Sequence, residues 1–304
     1  MQLINDFLRS QTDKGVYYYG LMGTIGQSIM LLMVVFYLIW TWVKISPAVS
    51  DKITTKDKIF TTIKGVVMAA IAYYFSLSAH RFMLWYQVGF DPNLYNSTVG
   101  NLAVGFTLLP LLAWLCAKVF NTTTGFAGDV TALTILGFHV AGRSGCLFTG
   151  CCYGFVCDWG WYSHAAVADA VHETINNTTI VDESIVLPSA ESVAYRFPVS
   201  LVESLLTLGI LIFLLVRICR KGYTPDGKNL PYFLLIYGIG RLITETTRDS
   251  TKADWIIWRF SDIHIHMLLM AVVGAFLLYS IARKSRVITS PEEPQLPKVK
   301  AKRH

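Results

Sequence analysis

Seven apolar runs, near 17–43, 59–85, 98–120, 127–149, 199–217, 230–247 and 263–282, leave this chain few ways to fold. A bilayer core about 30 Å thick is crossed by about 20 helical residues. In that solvent every backbone amide must find its partner inside its own element, so an unbroken apolar run becomes a helix. Only 15% of the 304 residues are charged and mean hydropathy is +0.47, against roughly 25% charged in a soluble domain. The expected fold class is an all-α polytopic membrane protein of about seven transmembrane helices, with the lipid bilayer as its solvent.

Lys and Arg collect on the cytoplasmic side of such proteins. Here they gather in the 44–58 loop (Lys44, Lys52, Lys56, Lys58), in the 217–229 loop (Arg217, Arg220, Lys221, Lys228) and in the tail (Arg283, Lys284, Arg286, Lys298, Lys300, Lys302, Arg303). The 155–198 segment instead carries Asp158, Asp169, Glu173, Asp182, Glu183 and Glu191 against a single Arg196. With an odd span count, the N-terminus is expected outside and the C-terminus inside. The net charge of +6 is then a topology signal, and no nucleic-acid partner is expected. Residues 1–284 read as one transmembrane domain with 155–198 as an extracytoplasmic insertion, a small cap over the membrane. Residues 285–304, with three prolines and no apolar period, read as a disordered basic cytoplasmic tail. Met1 to Gly15 is polar and does not resemble a cleavable signal, so the first span is expected to remain and act as the targeting signal.

Charges inside the spans are the next constraint. The fourth run ends in Gly142-Arg143-Ser144-Gly145-Cys146-Leu147-Phe148-Thr149-Gly150-Cys151-Cys152-Tyr153-Gly154. A charge at a helix centre costs about 2.5–3.5 kcal/mol even on lenient insertion scales, so Arg143 must face protein, water or an anion. It lies roughly 24 Å along its span from Ala127, and Arg241 roughly 17 Å along span six, by helical rise. Glu245 follows Arg241 by one turn and Arg248 stands near the outer end. Glu203 falls in the outer half of span five, which runs the other way. Tyr17, Tyr18 and Tyr19 open span one on that side, His80 and Arg81 close span two, and His264 and His266 begin span seven. Span three adds only the neutral Asn96 and Asn101.

Plainer accounts exist for most of these. Arg241 and Glu245 suit an ion pair within one helix. Arg81 suits snorkelling, and the tyrosines an interfacial belt. His264 and His266 suit structural roles. Arg143 differs, because nothing acidic lies within one turn of it, so its counter-charge comes from another span or from a ligand. A cation beside glycine-rich backbone is what a buried phosphate site requires.

Of the six cysteines, Cys116 and Cys219 read as small apolar residues. Cys146, Cys151, Cys152 and Cys157 allow three readings. A metal site with His139 and His164 would lack the paired spacing of structural zinc. A disulfide at Cys157 suits an oxidising compartment, and tight helix packing suits Cys146.

Four stretches carry a family resemblance: Tyr18-Tyr-Gly-Leu-Met22, His139 to Gly154, Arg196-Phe-Pro-Val-Ser-Leu-Val-Glu203, and Tyr237-Gly-Ile-Gly-Arg-Leu-Ile-Thr-Glu-Thr-Thr-Arg248. In this order they resemble the bacterial prolipoprotein diacylglyceryl transferase family, and Gly-Cys-Cys-Tyr-Gly resembles its cysteine-bearing branch. The resemblance implies transfer of a diacylglyceryl group from phosphatidylglycerol to the lipobox cysteine thiol of an exported preprolipoprotein, without a cofactor or metal. The implied partners are phosphatidylglycerol and the preprolipoprotein signal peptide. The implied location is the bacterial plasma membrane, multi-pass, with the active site facing the outer leaflet. Carried over, Arg143, Arg241 and Glu245 would be catalytic. Tyr19, Gly142, Cys146, Gly154, Glu203 and Arg248 would bind substrate, with Asp129 and His139 in support. The family's His-Gly-Gly near span three is replaced by Tyr95-Asn-Ser-Thr-Val-Gly-Asn101, which leaves His80, His139, His264 and His266 as alternative bases. A relative with a different acceptor, or an anion transporter, are the other readings. Transporters usually show duplicated halves, and none is visible here.

Overall fold

The computed structural model describes residues 15–44, 54–87, 103–149, 152–163, 166, 195–221, 226–248, 255–257 and 260–289. The helices are α1 (Gly15–Lys44), α2 (Thr55–Gln87), α3 (Ala103–Thr107), α4 (Leu109–Val119), α5 (Thr124–Thr149), α6 (Val199–Lys221), α7 (Asn229–Glu245) and α8 (Asp262–Thr289). Two short antiparallel pairs accompany them, β1 (Val156–Tyr162) with β2 (Tyr195–Arg196) and β3 (Trp255–Ile257) with β4 (Phe260–Ser261). The strands qualify the all-α expectation. The bundle itself is helical, and β1 and β2 close the two ends of the 155–198 insertion.

Among the described residues, five helices are long and apolar enough to cross a membrane, over Gly20–Val43, Thr55–Ser76, Thr124–Phe148, Val199–Arg220 and Ile263–Lys284. The other two expected runs do not form such helices among the described residues. The run at 98–120 is broken at Leu108, and Pro110 sits in the first turn of α4. Its ring excludes the carbonyl four residues earlier and removes an amide donor, so helix cannot run through from α3. The run at 230–247 forms α7, whose 17 residues rise about 26 Å and include Arg241 and Glu245. At the other end of the chain, α8 continues to Thr289, beyond the expected start of the tail at Ser285.

Local chemistry sets the helix starts. Thr54 and Asp57 form a reciprocal capping box ahead of α2: the Thr54 amide donates to the Asp57 carboxylate at 3.1 Å and the Asp57 amide to the Thr54 hydroxyl at 3.2 Å. Between α4 and α5 the chain turns at Asn121, φ 49°, a left-handed position that asparagine tolerates. The Thr123 hydroxyl then accepts the Phe126 amide at 3.2 Å.

α5 is the axis of the bundle. Of its spanning window 67% is buried by protein, against 22% for α1 and for α8. Leu133 and Leu136 of α5 are buried with Tyr37 of α1, Phe233 and Leu234 of α7, and Met267 and Met270 of α8. The lateral surface is left to Leu32, Phe60, Ile212 and Phe276, all exposed, a belt that hydrocarbon must cover. α1 reaches the axis closely because Gly137 has no side chain: a Cβ there would stand 2.8 Å from the Met30 Cα. Such small-residue contacts replace the hydrophobic drive that lipid cannot supply.

Candidate active site

Three helices bring their charges to one place. Glu203, on the second turn of α6, has no solvent exposure. It forms close ion pairs with Arg143 Nε of α5 and with Arg241 Nη1 of α7. Arg241 Nη2 lies 2.7 Å from Glu245 Oε2, and Arg248 Nη1 lies 3.3 Å from Glu245 Oε1. The order is a ladder of alternating sign: Arg143, Glu203, Arg241, Glu245, Arg248. Removing an ion from water costs several kcal/mol, so each rung needs its neighbours. Among the described residues the ladder itself holds three guanidinium groups and two carboxylates. The Arg143 side chain is 16% exposed, against 6% for Arg241 and 10% for Arg248, so Arg143 is the most accessible cation of the ladder.

The surrounding groups fix these side chains. Pro198 precedes α6, and its carbonyl accepts the Leu201 and Val202 amides at 3.0 and 3.2 Å. The Ser144 and Ser204 hydroxyls, each next in sequence to a ladder residue, meet at 3.1 Å between α5 and α6. One turn from Arg143 and Arg241 respectively, His139 Nε2 and the Tyr237 hydroxyl meet at 3.0 Å. Both are buried, which gives α5 and α7 a second, uncharged rung. Two sulfurs complete the cluster: Cys146 Sγ 4.0 Å from Arg143 Nη1, and Cys152 Sγ 3.5 Å from Arg248 Nη2.

Beside the ladder the backbone is knotted at Gly154. Its amide donates to the Phe197 carbonyl at 2.9 Å, the Phe155 amide to Thr247 at 3.2 Å, and the Phe197 amide to Phe155 at 2.9 Å. Gly154 also bridges to Arg248. A Cβ on Gly154 would stand 2.5 Å from the Thr247 carbonyl oxygen and 2.9 Å from the Phe197 Cβ. Only glycine lets the three segments meet.

Several of the residues expected at the site lie together. Arg143, Glu203, Arg241, Glu245 and Arg248 are one network, Cys146 touches it, Gly142 precedes Arg143 in α5, and Gly154 and His139 adjoin it. The counter-charge of Arg143 does come from another helix. Asp129 is not part of this cluster. It lies near the start of α5, about 21 Å away by helical rise, buried, and accepts the Tyr37 hydroxyl at 2.9 Å. His264 is buried at the start of α8 and His266 is partly exposed. Tyr17, Tyr18, Tyr19, His80 and Arg81 lie on α1 and α2, with side chains outside the described residues, as are Asn96, Asn101, Cys151 and His164.

Among the described residues no group of three or more His, Cys, Asp or Glu could hold a metal ion. Cys116, Cys146, Cys152, Cys157 and Cys219 carry thiols, none of them in a disulfide. On β1, burial and then the neighbouring Asp158 push the Cys157 thiol above its ordinary value. Sequence reading missed Ser144 with Ser204, Tyr237 as the partner of His139, and the link from Cys152 to Arg248. For the serines and for Tyr237 and His139, adjacency or one-turn spacing to the charged residues was the available signal.

The family model for prolipoprotein diacylglyceryl transferase matches residues 10–281. The chain is also similar to a Clostridium perfringens (strain 13 / Type A) protein named phosphatidylglycerol–prolipoprotein diacylglyceryl transferase 2. The two are 24% identical over 236 residues, 74% of this chain and 79% of that one.

Proposed function

Because the chain belongs to the prolipoprotein diacylglyceryl transferase family, we propose that its charge ladder holds the phosphate of phosphatidylglycerol for attack by a preprolipoprotein thiol. The chain is a multi-pass membrane transferase of that family, acting in lipoprotein biosynthesis. One observation carries the reading of the site: guanidinium groups from two helices and Arg248 gathered in one buried network among the described residues, whose most accessible cation is Arg143.

In the reaction, the acceptor cysteine sulfur bonds to the glycerol carbon of the diacylglyceryl group. The bond from that carbon to the phosphate ester oxygen breaks, its electron pair stays with the phosphate, and glycerol phosphate leaves with the thiol proton. Negative charge grows on the phosphate as the bond breaks. Arg143 and Arg241 meet it as donors already held in position, which is worth most where water is excluded. Guanidinium groups suit this task because their planar fork matches two phosphate oxygens. Glu203 and Glu245 orient the forks and offset enough charge for them to stay buried.

Arg143, Arg241 and Glu245 are assigned to catalysis. Glu203, Arg248, Gly142, Cys146, Gly154 and Tyr19 are assigned to the binding surface, with His139 and Asp129 in support. The charge distribution of the loops favours an N-terminus outside, a C-terminus inside and seven crossings. The ladder would then sit under the outer leaflet of a bacterial plasma membrane, with residues 1–284 as the membrane domain and the basic tail in the cytoplasm. The test is reconstitution with phosphatidylglycerol and a lipobox peptide. The peptide should gain the mass of one diacylglyceryl unit. Anion flux through liposomes with no such product would overturn the assignment in favour of transport.

A further inference from the structure

A small cavity adjoins the ladder between the end of α5, β1, β2 and the start of α6. Cys146, Cys152, Tyr153, Trp161, Arg196 and Ser200 are among the residues that line it. Its volume is about 20 Å³, and a site holds one water-sized group from roughly 10–15 Å³ upward. Space of this order suits one small group such as a thiol.

The walls suit such a group. Cys146 Sγ lies 4.0 Å from Arg143 Nη1 and Cys152 Sγ 3.5 Å from Arg248 Nη2, so sulfur already sits beside the two end cations of the ladder. Of the cations nearby, Arg196 itself lines the cavity, and a neighbouring cation favours the thiolate, the nucleophilic form. Tyr153 is buried, and the Arg196 guanidinium stands 4.9 Å from its ring centre, making a stiff aromatic wall. β1 and β2, which belong to the insertion between α5 and α6, form the far side.

We infer that this cavity receives the cysteine side chain of the acceptor peptide, so that donor phosphate and acceptor sulfur approach the ladder from different sides. The inference rests on the proposed reaction and adds to it the location of the nucleophile. From the cavity the sulfur attacks the glycerol carbon, the carbon–oxygen bond to phosphate breaks, and the thiol proton departs with the glycerol phosphate.

Two measurements on the full chain in nanodiscs test it. A lipobox peptide with its cysteine free, oxidised together with the chain by copper phenanthroline, should form a mixed disulfide mapped by mass spectrometry to Cys146 or Cys152. Labelling confined to Cys157 or Cys219 would overturn the inference. Separately, Ser200→Leu fills the cavity from the first turn of α6. It should raise KM for the peptide by about tenfold while KM for phosphatidylglycerol stays within about twofold. An unchanged peptide KM would overturn it as well, and the disulfide mapping on the unmodified chain decides the matter if Ser200→Leu does not fold. A mixed disulfide at Cys146 or Cys152 without any transfer product would sink the proposed reaction and leave the thiol site standing.

Discussion

Arg143 and Arg241 share one carboxylate. They come from helices separated by all of α6, and Glu203 of that intervening helix pairs with both. Neither guanidinium can turn away without leaving a buried charge exposed to lipid or apolar protein, so both forks are held ready before a phospholipid arrives.

Arg143→Ala should abolish diacylglyceryl transfer while expression and span count remain those of the unmodified chain. Arg143→Lys keeps the charge and loses the planar fork, and should cost about 10²-fold in kcat. Single-turnover assays with a lipobox peptide read both. Full turnover in the alanine variant would remove Arg143 from the site.

Glu203→Gln leaves two buried cations without their common partner. Breaking a buried pair costs about 3–5 kcal/mol, visible as a lower midpoint in fluorescence-detected thermal unfolding. Adding Arg241→Gln to Glu203→Gln removes opposite charges together and should recover part of that loss. A double variant less stable than the single one would contradict the ladder.

Gly154→Ala places a methyl group where the Thr247 carbonyl and Phe197 now meet. The knot must open, and Arg248, bridged to Gly154, shifts with it. Transfer should fall by about tenfold or more, with thermal stability lowered only modestly. An alanine variant of normal activity would show that this close approach is dispensable.

Asp129→Asn and Tyr37→Phe should act on stability alone. The hydrogen bond ties α1 to α5 far from the ladder, and leaving a buried group unsatisfied costs about 1–3 kcal/mol. Purified variants should melt earlier yet keep kcat within about twofold. A kcat loss as large as that of Arg143→Lys would move Asp129 into the chemistry.

Much of this was legible in the residues. A lone arginine deep in an apolar run demands a partner, and Glu203 was one of few candidates at its depth. The broken third run was less legible because its composition is apolar throughout; the interruption comes from the ring of Pro110, which hydropathy does not register. The contact of Cys152 with Arg248 could not be read at all. It joins residues 96 positions apart through the knot at Gly154, and no local period encodes such a meeting.

The alternating charges also govern how the chain is made. Within lipid, α5 alone would carry an unaccompanied Arg143 and α6 alone an unaccompanied Glu203, each at a cost that opposes release into the bilayer. α5 must therefore remain beside the insertion machinery until α6 has emerged from the ribosome and Glu203 can meet Arg143. Nascent chains stalled before Glu203 should crosslink to the translocon through α5, and those stalled well after Lys221 should not.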